Sequence, residues 1–200
     1  GVESTSRARR EGLRVFAVET GSMDFAERQF LDQVSTAYAR GDVGLDSLVE
    51  YGGNTRTFMY HAAKYGWLRL MQWLLKHGAD VNISPAGKWK PLHIAAYCGR
   101  HEAVILLLDA GAQVDAVDQY EETALHVAGS WGTCDTCKLL LSRGASLDMR
   151  NDDGEDAETI ARSVGNAAVA ALLAEIRAAG GRPAGCRFRT AIHIYIYKYI

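Results

Sequence analysis

From Leu92 to Gly111 the apolar residues fall into two short patterns in succession. In LHIAAYCG, Leu92 to Gly99, Leu92 and Ile94 supply apolar contact, and Ala95 and Ala96 are small enough to let neighbouring helices approach closely. In HEAVILLLDAG, Val104, Leu107 and Leu108 stand at i, i+3 and i+4, one face of a 3.6-residue period. The two patterns predict a helix, a turn and a second helix. Pro91 suits the first turn of the first helix, where its missing N–H would have had no partner. Gly99 permits the positive φ of a tight turn between helices, and Gly111 ends the second helix.

The same spelling returns at an interval of 33 residues: PLHIAAYCG from Pro91, then ALHVAGSWG from Ala124. AAKYG, AAYCG, AGSWG and ARSVG begin at Ala62, Ala95, Ala128 and Ala161. KHGADVN, DAGAQVD and SRGASLD begin at Lys76, Asp109 and Ser142. A constant offset of this size is the signature of stacked repeats. One helix pair cannot bury both its apolar sides, so each unit finds a neighbour and only the end units stay exposed.

In this register the chain resembles the ankyrin repeat family, whose unit is a turn, T-P-L-H-x-A-A, a short helix, a glycine turn, and a second helix ending in L-L-x-x-G-A. The resemblance runs from Arg56 to Ile176 and implies an all-α ankyrin-repeat solenoid, stacked helix-turn-helix units with β-hairpin or turn loops. Four units are expected over 56–178, the last of them a cap, since Asp156 and Thr159 replace Thr and His there. The first unit departs too, with Phe58 and Tyr60 in place of Pro and His. Over 23–55, A-x-x-x-G-D followed by L-x-x-L-V-x-x-G reads as a degenerate N-terminal capping helix pair. Only four residues separate Gly53 from Thr57, where Gly78 to Lys90 spans twelve. A close helix-to-helix connection without a projecting hairpin is therefore expected at that junction.

The flanks carry no such period. Residues 1–22 read as a disordered or linker segment. Their Arg and Ser content resembles the remnant of an organelle transit peptide, against which stand Glu3, Glu11 and Glu19. Residues 179–200 read as an unstructured basic tail ending in AIHIYIYKYI, which alternates as a strand would. The same Ile-Tyr alternation is what translation of an AT dinucleotide tract produces, and that reading is preferred to a functional strand.

Composition narrows the classes. The net charge of -2 conceals an asymmetry, because Arg177, Arg182, Arg187, Arg189 and Lys198 occur after the last acid and leave the body net acidic. No phosphate-neutralising stripe is visible, so no nucleic-acid partner is expected. The longest apolar runs fall far short of a membrane span, and no membrane association is expected. Four cysteines, three of them inside helical patterns, do not make a disulfide framework and suit an intracellular, most simply cytoplasmic, setting. A monomer is expected.

Candidate chemistry is sparse. No phosphate loop, nucleophile elbow or H-E-x-x-H occurs, so no catalytic residue, metal site or cofactor is assigned. The resemblance makes His93 and His126 structural, each imidazole bonding backbone in neighbouring turns. Cys134 and Cys137 spell C-D-T-C at a helix start, where a thiol could be activated, yet a redox motif needs a strand leading in, and Cys137 falls at a core position. Asp152, Asp153, Glu155 and Asp156 lack calcium-loop spacing and read as a solvated hairpin.

By the resemblance, partners are proteins, bound on a concave surface of hairpin fingers and first helices. The finger positions are Ala86, Gly87 and Trp89, then Gln119, Tyr120 and Glu122; the positions before the turn glycine are Lys64 and Tyr65, Tyr97 and Cys98, Ser130 and Trp131. Trp89, Tyr97, Tyr120, Glu122, Trp131, Tyr65 and Lys64 are the candidate contact residues, with Trp89, Tyr97, Tyr120 and Trp131 as the core of the patch. Aromatic side chains dominate binding hot spots because they bury large area at low entropic cost. The competing reading packs Tyr97 or Trp131 on the adjacent repeat. Lys88 and Glu121 stand where the finger glycine is usual, which bears on the placement of Trp89 and Tyr120. The expected function is that of an adaptor or scaffold; the alternatives are a regulatory subunit that occludes an enzyme, or a thiol redox protein using Cys134 and Cys137.

Overall fold

In the computed structural model, residues 23–51, 54–84 and 88–180 are described. The expectations for 1–22, for Ala86 and Gly87, and for all but the first two residues of 179–200 lie outside them. Helix α1 (Met23–Ala39) leads into strands β1 (Leu48–Tyr51) and β2 (Asn54–Thr57). Four helix pairs follow: α2 (Phe58–Tyr65) with α3 (Leu68–Lys76), α4 (Pro91–Tyr97) with α5 (His101–Asp109), α6 (Ala124–Trp131) with α7 (Cys134–Ser142), and α8 (Ala157–Ser163) with α9 (Ala167–Ala178).

The pairs stack in two rows. First helices α2, α4, α6 and α8 pack in sequence, and second helices α3, α5, α7 and α9 form a parallel row that α1 extends at its start. The alanines that recur in the sequence line the first row: Ala62, Ala95, Ala128 and Ala161 are all fully buried. At Gly129 the approach is closer still, since a Cβ there would lie 2.7 Å from the Ala157 carbonyl oxygen. Val104, Leu107, Leu140 and Leu173 fill the second row's inner side. The turn glycines are not all alike. Gly99 has φ 61°, as a left-handed turn requires, but Gly132 is extended and is glycine for lack of room, its Cβ position lying 2.7 Å from Ala128.

Polar side chains tie each loop to the next. Asp46 Oδ1 accepts the Asp80 N–H at 3.0 Å, Asn82 Oδ1 accepts that of Gln113 at 2.9 Å, and Asp115 Oδ1 accepts that of Ser146 at 3.0 Å. His93 and His126 work similarly. Each Nδ1 accepts the N–H of the residue that opens its own helix, Lys90 at 3.3 Å and Thr123 at 3.0 Å. Each Nε2 then donates to a carbonyl of the following finger, Glu122 at 2.9 Å and Met149 at 3.0 Å. The pairing fixes the neutral Nε2–H tautomer. Burial holds both imidazoles below their ordinary pKa, with the carbonyl bonds working in the opposite direction.

The N-terminal region corrects the sequence expectation. Residues 23–55 hold one helix and the greater part of a hairpin rather than a helix pair, and a hairpin stands at the junction where none was expected. β1 and β2 pair antiparallel, with Leu48 opposite Thr57 and Tyr51 opposite Asn54. Leu45, Leu48 and Val49 satisfy a helical spacing, yet Val49 is fully buried and Leu48 is 44% exposed, the alternation of a strand. The hairpin lies over α2, where buried His61 brings Nε2 to 3.4 Å from the Val49 carbonyl oxygen.

The stack ends are sealed differently. At the start, Phe30 of α1 meets Phe58 edge-on at 6.1 Å and Trp67 at 5.0 Å. Glu27 Oε1 accepts the N–H groups of Arg69 (2.7 Å) and Leu70 (3.1 Å), capping α3, whose own N-cap, Trp67, offers no oxygen. At the other end Asp156 caps α8 through the Thr159 N–H, and Arg177 of α9 reaches Asp156 Oδ2 at 3.0 Å and Glu158 Oε2 at 3.1 Å. Arg177, the first of the run of basic residues that follows the last acid, thus ties α9 to the start of α8 in the closing unit.

Candidate interaction surface

Three of the predicted contact residues meet. The Trp89 and Tyr97 rings lie 5.3 Å apart between centroids, and Tyr97 and Trp131 lie 6.1 Å apart. Trp89 precedes Lys90, the N-cap of α4, Tyr97 closes that helix, and Trp131 closes α6. Tyr97 is 40% and Trp131 68% exposed. Trp131 thus stands against Tyr97 of the adjacent repeat and still presents most of its indole to solvent. The three rings form a chain that crosses two repeats.

The remaining candidates form two further groups. Lys64 Nζ stands 5.1 Å from the centre of the Tyr65 ring, and Tyr65 in turn stacks on Trp67 at 5.0 Å. Tyr65 is thus joined to the N-terminal core as much as to the surface. Tyr120 and Glu122 share the finger between α5 and α6. Asp118 Oδ1 accepts the N–H groups of Tyr120 (2.9 Å) and Glu122 (3.0 Å), and the Asp118 N–H bonds the Glu122 carbonyl. The next finger repeats this with Asn151 in the same role toward Asp153 and Glu155. Glu121 occupies the position of Gly154 and takes a left-handed φ of 56° to keep the same turn. Tyr120 is 57% exposed, and its carbonyl accepts the Asp152 N–H at 3.1 Å, which joins the two fingers.

Charge varies across this face. Burial pushes the Glu122 carboxyl above its usual range, and the nearby Asp118, Asp153 and Glu155 push it further in the same direction. Near the start of the stack Arg56 lies over the Tyr60 ring at 5.3 Å. Arg56 and Glu155 were not among the sequence candidates. The signal was available, because both stand a whole number of intervals from Trp89.

The thiols point away from chemistry. Cys137 is fully buried, and burial together with neighbouring Cys134 pushes its thiol up to about 12, the reverse of activation at a helix start. Burial also raises Cys98, against the pull of Arg100 and Lys64. The redox alternative is thereby weakened at its central residue. Among the described residues no group of His, Cys, Asp and Glu is placed to hold a metal ion, and no helix is long and apolar enough to cross a membrane.

Known proteins give the arrangement its context. A family model of ankyrin repeats in three copies matches residues 16–118, just over half of the chain, and a single ankyrin repeat matches 120–152. Over 70 residues, 35% of this chain, the sequence is 34% identical to protein phosphatase 1 regulatory subunit 12A of Mus musculus. It is 34% identical over 58 residues, 29% of this chain, to the Notch-regulated ankyrin repeat-containing protein of Xenopus tropicalis, and 33% identical over the same length to that of Homo sapiens. The matched part spans 7% of the phosphatase subunit and about half of the Notch-regulated proteins. With the stacked helix pairs and the family match in agreement, this chain belongs to the ankyrin repeat family.

Proposed function

We propose that the chain is a non-enzymatic adaptor that grips a partner protein on the face formed by its fingers and first helices. The observation that carries this reading is the joined set of half-buried Trp89 with exposed Tyr97 and Trp131. Solubility alone would place charge there, and large aromatic side chains are the residues that yield most binding energy at a desolvated contact. The free thiols of Cys98, Cys134 and Cys137 support an intracellular, cytoplasmic setting for it.

Affinity capture with the chain and with the Trp89→Ala, Trp131→Ala double variant, quantified side by side, tests the reading. Each truncation of an anchor of this type costs about 2 kcal/mol or more of binding. Bound partner should therefore fall sharply in the variant while its thermal unfolding remains cooperative. Equal capture by both proteins would discard the patch.

A second reading is favoured by the similarity to a phosphatase regulatory subunit: the chain regulates an enzyme by covering part of it. The two are separated by measuring the captured partner's own activity as the chain is added. A fall or a change in substrate preference favours regulation, and an unchanged rate favours the adaptor.

A further inference from the structure

At successive intervals of 33 residues, the position at the base of each finger is filled by Arg56, Trp89, Glu122 and Glu155. The row passes from a cation through an indole to two carboxylates. The positions before the turn glycines start with a cation too, Lys64 beside Tyr65, and continue with the uncharged pairs Tyr97 and Cys98, then Ser130 and Trp131. The face has an electrostatic direction along the stack.

The acidic end is crowded and uncompensated. Glu121 and Glu122 stand on one finger, Asp152, Asp153 and Glu155 on the next, and the Tyr120–Asp152 backbone bond holds the fingers together. Among the described residues none of these five carboxylates is paired with a lysine or arginine, whereas Lys138 pairs with Asp135, Arg143 with Asp109, Arg162 with Glu158, and Arg177 with Asp148, Asp156 and Glu158. Arg150, on the same loop, directs its guanidinium to the Gly154 carbonyl instead. Lys90 directs its ammonium to the Val117 carbonyl. Burial is the first cause of the raised Glu122 pKa, and the neighbouring Asp118, Asp153 and Glu155 add to it. A positive group brought here gains attraction without displacing an existing partner, and like charges at the other end turn it away.

We propose that this face selects an extended segment of a partner protein in which an apolar or aromatic side chain stands beside lysines or arginines. The apolar side chain sits among Trp89, Tyr97 and Trp131, and the basic ones lie over Glu122 and Glu155, away from Arg56 and Lys64. An arginine beside Trp131 gains a cation–π contact as well. This inference rests on the reading of the face as a protein-binding surface and adds the chemistry of its occupant.

The test is selection of a random-sequence peptide library displayed on phage against the intact chain. The most enriched peptide is then synthesised with a fluorescein label, and its binding is followed by anisotropy to the native chain, to Trp131→Ala, and to the Glu122→Gln, Glu155→Gln double variant. Selected peptides should carry Lys or Arg beside Trp, Phe or Leu. The double carboxamide variant should bind about tenfold more weakly and lose most of the salt dependence of the native chain. Gln keeps the size of Glu, and a thermal melt confirms that the variant is folded.

Selected peptides without net positive charge, no selection at all, or binding unaltered in the double variant would overturn the proposal. Weakening by Trp131→Ala in those last circumstances would leave the binding face standing and remove only its preference for basic segments. If a selected peptide ignores Trp131→Ala as well, the face itself is misassigned.

Discussion

The two middle units and the two end units keep the same backbone by different chemistry. At the third residue of the first helix the middle units have His93 and His126, each linking its own helix start to the following finger through a neutral, buried imidazole. The end units have Tyr60 and Thr159. Tyr60 lies under the Arg56 guanidinium, and Thr159 donates to Asp156 through both its N–H (2.9 Å) and its hydroxyl (2.8 Å). A middle unit has a neighbour on both sides and can place a bond between repeats. An end unit must close on itself, and does so with Phe30, Phe58 and Trp67 at one end and Arg177 with its carboxylates at the other. The repeat sequence is therefore a record of neighbours as much as of local folding.

The largest effect that tests this contrast is a cavity in the middle of the second row. Leu107 is fully buried between α5 and its neighbours, and Leu107→Ala should cost about 2 to 5 kcal/mol. Leu173, equally buried in α9, has a neighbour on one side only, so Leu173→Ala should loosen the last unit while the rest unfolds near its original midpoint. Urea unfolding read by hydrogen exchange distinguishes the two. Global loss from both variants would mean that the stack has no separable end.

The histidine linkage gives the next effect. His126→Ala leaves the Met149 carbonyl and the Thr123 N–H without their partner and should cost about 2 to 3 kcal/mol, whereas Thr159→Ala leaves Asp156 still bound to Arg177 and should cost less. The same linkage sets a pH dependence. In the unfolded chain imidazoles titrate near about 6.5, and in the folded chain His93 and His126 are held lower by burial, so the unfolded state binds more protons as pH falls. Their contribution is fully present above about 6.5 and is lost as pH falls toward the depressed values. Asp156 acts in a more acidic window. Burial raises it, but the Thr159 N–H and hydroxyl and Arg177 hold it below the ordinary carboxylate range, so its contribution is present above that range and is lost as pH falls through it toward the depressed folded value. Urea midpoints measured from neutral pH downward should decline first through the histidine window, and His126→Gln should flatten that decline.

Legibility follows the same division. The middle units were readable because Leu92, His93 and Ala95 return one interval later in the same roles, and Gly99 returns as a turn glycine required for a different reason. The hairpin before α2 was not, because Leu45, Leu48 and Val49 fit a helical face as well as a strand, and a short strand offers too few residues to separate the two periods. The pair of glycines at 52 and 53, between β-capable runs, was the better guide. On the surface, the interval marked positions where Tyr97, Tyr120 and Trp131 are exposed and Tyr65 and Trp89 are half-buried. It could not show that Trp89, Tyr97 and Trp131 touch, since they occupy three different positions within the unit and meet only through the reach of their side chains. The cation-to-carboxylate gradient was spelled in the same register and becomes visible once Arg56 and Glu155 are set in one row with Trp89.

The two fingers offer the smallest and sharpest comparison. Asp118–Glu122 and Asn151–Glu155 make the same backbone bonds, Asp118 N–H to the Glu122 carbonyl and Asn151 N–H to that of Glu155, with a side-chain oxygen accepting two N–H groups inside each turn. They differ at the fourth position, where Gly154 has φ 74° and Glu121 has φ 56°. A left-handed conformation costs a residue with a Cβ about 1 kcal/mol or more relative to glycine, while glycine loses more freedom on folding. The steric term is the larger, so Glu121→Gly should stabilise the chain by about 0.5 to 1 kcal/mol. It also removes one of the crowded carboxylates, and Glu121→Gln separates the two causes by removing the charge and keeping the Cβ. A gain with Gly but not Gln assigns the cost to the backbone. Equal gains assign it to repulsion among the finger carboxylates, the same repulsion that a basic partner segment would relieve.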